Sequence, residues 1–180
     1  MSTNENQAAR NVHIAVAAGR RIALVVVALC AVLVAGPRQT VAASLVPFSA
    51  TITETYVINA GACQSAAPVT VCTTGTGQAT HLGEIRETAV IETSSTPDSC
   101  GVAEQRTTTL TAADGAQLGL GATGQNCLAQ GTASDAYVVT GGTGRYRGAT
   151  GRGTIAVTFP APGVAVVAIT GELSSPGSLP

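Results

Sequence analysis

Beyond residue 43 the chain holds few groups able to do chemistry: one histidine (His81), four cysteines, nine Asp or Glu, five Arg and no Lys. A Ser–His–acid triad would have to use His81, and no Gly-x-Ser-x-Gly elbow is present to present the serine. Metal sites need several ligands brought close together, and one imidazole with scattered carboxylates makes no recognisable set. Neither a metal nor a cofactor is expected, and the reading leans away from an enzyme. Cys63, Cys72, Cys100 and Cys127 are never closer than nine residues, too far apart for the paired thiolates of a zinc site. An even count in an exported chain reads as two disulfides, for which three connectivities are open. The local one is preferred: Cys63–Cys72 closes a loop and Cys100–Cys127 ties neighbouring strands.

The more informative polar residues are those that fall where apolar ones belong. In Ser44 to Ile58, Phe48, Ala50, Ile52, Tyr56 and Ile58 share one face of an alternating strand, and Glu54 shares it with them. Glu87, Glu104, Arg106 and Asp135 occupy similar positions in later strands. A buried charge is costly unless paired. Two readings stand: these are mouth positions, or strands read in the wrong register, or they line an internal cavity together with Tyr56 and Tyr137 and orient a ligand. The candidate pocket-lining set is Glu54, Tyr56, Glu87, Arg106, Asp135 and Tyr137.

The elements that would position them are all strands. No apolar period of 3.6 residues persists after residue 43, and seven or eight short strands alternate with turn chemistry. Asn59 to Gly77 reads as a stapled loop with a short strand at Val69 to Cys72. Gln78 to Thr93 reads as one long strand with a bulge at Gly83, His81 on its inner face and Leu82 turned away. Val102 to Ala112 and Gln117 to Leu120 flank Asp114-Gly115, the clearest hairpin turn. Gly121 to Gly131 reads as a loop. Ala133 to Thr140 and the segment Arg145 to Phe159 follow, then a turn at Pro160 to Gly163 and a last strand, Val164 to Leu173. The class is all-β, a small antiparallel barrel or sandwich.

The first 43 residues are a different kind of sequence. Arg20-Arg21, the 14-residue apolar run Ile22 to Ala35, Gly36-Pro37 and the small residues Val41-Ala42-Ala43 are ordered as a secretory signal peptide cleaved after Ala43. The run is shorter than the ~20 residues of a spanning helix. The domain reading is therefore a leader at 1–43, a barrel at 44–173 and a flexible tail at 174–180. The exported part has a formal charge of −4. Without lysine it is ill suited to nucleic acid or anionic lipid, which need clustered positive charge.

Asp135 to Phe159 carries six glycines between Gly141 and Gly153. Gly141-Gly142-Thr143-Gly144 lacks the following helix of a dinucleotide site and the Lys-Ser/Thr of a P-loop. It reads as a structural corner made of Gly141, Gly142, Gly144, Tyr146, Gly148 and Gly151. Together with Thr80-His81-Leu82-Gly83 and Asp114-Gly115, the run Gly141 to Gly153 resembles a group of small secreted bacterial proteins. It is also similar to the GGTG-(K/R)-F stretch of plant dirigent proteins and, more distantly, to allene oxide cyclases. The resemblance implies an eight-stranded antiparallel barrel that works by shaping a pocket, and it carries over no functional residue.

The expected function is non-catalytic binding of a small apolar or phenolic ligand in or at the mouth of the barrel. The alternative is a cofactor-independent dirigent- or cyclase-like enzyme that steers a reactive intermediate with Glu54 or Tyr56. A filled barrel would leave a structural or surface-interaction role. Interior volume discriminates: a cavity below the roughly 300 Å³ at which small-molecule pockets begin would exclude a function inside the barrel.

Overall fold

The computed structural model describes residues 44–58, 63, 65, 67–93 and 100–174. The expected leader at 1–43 and residues 175–180 of the expected tail lie outside them. Eight strands follow one another as a meander: β1 (Leu45–Ile58), β2 (Val69–Ala79), β3 (Gly83–Thr93), β4 (Cys100–Ala112), β5 (Gln117–Cys127), β6 (Thr132–Gly142), β7 (Gly151–Ala161) and β8 (Val164–Ser174). Each is antiparallel to the next, and β1 pairs with β8 to close the barrel. Closure removes the unpaired edges that an open sheet would expose. Alternation does the rest: Phe48, Ala50, Ile52 and Glu54 are buried while Ser49, Thr51, Thr53 and Thr55 face out.

Several expected boundaries change, among them the short strand at Val69 to Cys72, which runs on to Ala79 as β2. The long strand Gln78 to Thr93 is two strands, because His81 (φ 67°) and Gly83 (φ 76°) are both left-handed and reverse the chain within Thr80–Leu82. Gly83 begins β3 rather than forming a bulge, Leu82 is buried and His81 is exposed. The presumed loop at Gly121 to Gly131 is mostly β5, with a left-handed residue only at Gly131. Between Thr143 and Thr150 the chain is a corner holding one 3-10 turn (Gly144–Tyr146), so β7 starts at Gly151 and not at Arg145. Ser174, assigned to the tail, is the last residue of β8: its N–H donates to Thr150 O (2.8 Å) and its Oγ accepts from Thr150 N–H (3.0 Å).

The two barrel ends differ. One carries the β2–β3 turn, the Asp114-Gly115 hairpin and the Gly-rich corner, which meet around Tyr146. Its ring is buried, and its hydroxyl donates to the His81 carbonyl (2.5 Å) and accepts from Arg145 Nε (3.0 Å). Arg145 also bonds Asp114 (2.8 Å). The three motifs that carry the resemblance thus build one lid. Below it Phe48, Ile52, Leu82, Ile85, Leu110, Leu118, Leu120 and Leu173 fill the barrel. At the opposite end, open among the described residues, stand both disulfides, Cys63–Cys72 and Cys100–Cys127, in the expected pairing.

Candidate functional site

From mid-barrel to the open end the interior turns polar. Glu54, Glu87, Glu104, Arg106 and Asp135 are all at least 95% buried, so the reading of exposed mouth positions is set aside. Two groups form, each built over a glycine. Gly75 on β2 is in register with Glu54 on β1 and Glu87 on β3. Gly124 on β5 is in register with Glu104 on β4 and Asp135 on β6. A Cβ at Gly124 would stand 2.2 Å from Asp135 Oδ1, and one at Gly75 would stand 3.0 Å from Glu54 Cγ. The missing side chains are the space the carboxyls occupy.

Arg106 binds the first group. Its Nη2 donates to Glu54 Oε1 and to Glu87 Oε1 (3.2 Å), and its Nε donates to Thr108 Oγ1 (3.0 Å). Thr73 Oγ1 donates to Glu87 (3.0 Å). Even so, burial raises the Glu54 carboxyl above its ordinary value in spite of the guanidinium. Burial, and then the charge of Glu54, push Glu87 up to about 7. One cation cannot neutralise two carboxylates in a dry interior, so the second holds a proton near neutrality.

The second group has no cation of its own. Asn126 Nδ2 donates to Glu104 Oε2 (3.3 Å), while Asn126 Oδ1 and both Asp135 oxygens accept from no donor among the described residues. Burial, and then the adjacent Glu104 carboxyl, push Asp135 up to about 7. Two facing carboxyls bond only when one is protonated. Tyr137 lies flat over Gly153 and Gly171, its hydroxyl buried and unpartnered, and burial pushes it up to about 12.

A throat of about 40 Å³ enters from the open end. Glu54, Glu104, Arg106, Asn126 and Thr73 form its polar floor; Tyr56, Ile58, Val71, Ile91, Leu128 and Phe159 are among its apolar lining. Tyr56 and Phe159 meet edge to face, with centroids 5.7 Å apart. Of the candidate set, Glu54, Tyr56 and Arg106 line the throat; Glu87 and Asp135 do not line it but adjoin Arg106 and Glu104, and Tyr137 lies apart, over Gly153 and Gly171. Sequence reading left Asn126 and Phe159 out of the set. Asn126 fell in a stretch read as loop, although its place two residues beyond Gly124 puts it on the inner face. Two wider hollows, about 720 and 430 Å³, lie on the outer wall and gather none of the buried carboxyls. No group of three or more His, Cys, Asp or Glu among the described residues is arranged to hold a metal ion.

Comparison with protein-family models and with characterised proteins finds no match. The class the geometry defines is a disulfide-stapled, eight-stranded antiparallel barrel, closed by an aromatic lid at one end and polar inside at the other.

Proposed function

We propose that the protein is an exported, non-catalytic binding protein whose open barrel mouth takes the polar end of a small amphipathic molecule. The supporting observation is the asymmetry of the interior. A barrel that needed only to be stable would do as well or better with apolar residues throughout, because replacing buried ion pairs by packed hydrophobes is commonly neutral or stabilising. Here the lid half is apolar, while the open half carries five buried charged side chains beside the throat. At about 40 Å³ the throat is an order of magnitude below a small-molecule pocket. A whole phenolic ligand or a cyclase substrate is therefore not enclosed. A head group of a few atoms enters, and its apolar body rests on Tyr56, Ile58, Leu128 and Phe159. Two disulfides suit an oxidising, extracellular compartment.

Native mass spectrometry of protein purified from its own culture medium tests this directly. A co-purifying small molecule, lost when Phe159 is replaced by Ser, is the expected result. A bare protein that also fails to bind a library of amphipathic fragments would leave the filled-barrel, structural reading in its place.

A further inference from the structure

We infer that the throat selects a cationic, hydrogen-bond-donating head, a primary ammonium on an apolar body, over neutral or anionic heads. This rests on the mouth being a ligand site and adds the ligand's chemical class. Four carboxyls face the interior, Glu54 from β1, Glu87 from β3, Glu104 from β4 and Asp135 from β6; with protons held on Glu87 and Asp135 to about 7, Glu54 and Glu104 still stand against the one guanidinium of Arg106. That guanidinium is not free to take an anion, since its Nη2 and Nε already serve Glu54, Glu87 and Thr108.

What the floor lacks is donors. Asn126 lines the throat and is 93% buried, from its relative exposure of 7%. Its amide nitrogen is held by Glu104, which leaves Oδ1 to accept from whatever enters. An incoming carboxylate or phosphate would set another acceptor against the unpartnered Asn126 Oδ1. An ammonium brings three donors and no acceptor. It is also about as large as a water molecule, whose share of liquid volume is ≈ 30 Å³, so it fits the throat. At the rim the rings of Tyr56 and Phe159 add faces that attract a cation.

Phenethylamine, phenethyl alcohol and phenylacetate share one apolar body and differ in the head. Titrated into the intact barrel by NMR, they should rank amine, alcohol, acid. The amine should bind about tenfold more tightly than the alcohol, in keeping with a charge-assisted hydrogen bond, and the acid should give no saturable shift. The shifts should centre on the Asn126 side-chain amide and the Tyr56 and Phe159 rings. Glu104→Gln and, separately, Asn126→Leu, each checked for a native melt, should shrink the amine's advantage over the alcohol. If the alcohol equals the amine, or the acid binds best, the inference fails while the mouth remains a site. An amine preference that survives both variants places the amine elsewhere and overturns the inference. If none of the three binds, both the inference and the reading it rests on fall.

Discussion

Glu87 shows how one residue's environment reaches the stability of the whole. Its proton is held to about 7 in the folded barrel, against the ordinary carboxyl value near 4 in the unfolded chain. Between those values the folded state binds more protons than the unfolded one, so stability falls as pH rises through the window and levels off above it. Asp135, also at about 7, acts in the same direction. We expect thermal melts at pH 5 to lie several degrees above those at pH 8. Glu87→Gln, which keeps the acceptor for Thr73 and Arg106 but has nothing to ionise, should raise the melt at pH 8 and flatten the profile. A stability that instead climbs from pH 5 to pH 8 would contradict this. Arg106→Met tests the opposite side of the pair. It strands Glu54 and Glu87 in the interior and should cost about 3–5 kcal/mol in denaturant unfolding at neutral pH, less at pH 5, where Glu87 is protonated.

At the scale of elements, the inward glycines decide how far a polar side chain can cross to its neighbour strand. Gly124→Ala would set a methyl 2.1 Å from the Ser134 carbonyl oxygen and 2.2 Å from Asp135 Oδ1. Overpacking of this kind costs about 1–3 kcal/mol, and here it also separates Asp135 from Glu104. The variant should therefore melt lower and show a shallower pH dependence between 5 and 8. The two staples differ in the chain they close, 9 residues for Cys63–Cys72 and 27 for Cys100–Cys127. In the chain-entropy account the longer loop stabilises more. Replacing Cys100 and Cys127 together by Ala should lower the melting temperature more than replacing Cys63 and Cys72, as calorimetry of the two double variants would show.

For the whole molecule, the lid and the mouth are separate devices built into one closed sheet. Tyr146→Ala removes the ring, its bond to the His81 carbonyl and the anchor of Arg145 at once. Emptying such a site costs about 3–5 kcal/mol, yet the variant leaves the mouth residues in place. Ligand affinity at the mouth should survive wherever the variant remains folded. A loss of binding in folded protein would join the two ends and refute their independence.

The all-β class and the disulfide partners were legible because each rests on a local property, whereas closure into an eight-stranded barrel was implied only by the resemblance and left open by periodicity. Period-2 alternation marks half-buried strands, and short cysteine spacings in adjacent strands favour local pairing. The Gly-rich corner was likewise legible as structure, since a phosphate loop needs a lysine and a helix that the chain does not supply. Even the misplaced acids announced themselves, Glu54 most clearly within Phe48 to Ile58. Their partners did not. Which carboxyl faces Arg106, and that Glu104 faces Asp135 across Gly124, depends on the register of strands up to 52 residues apart, and one residue of slip would turn every side chain to the other face. The volume of the throat was equally out of reach of the sequence. It is what remains after all eight strands have placed their side chains in one shared interior, and no strand carries that remainder in its own pattern.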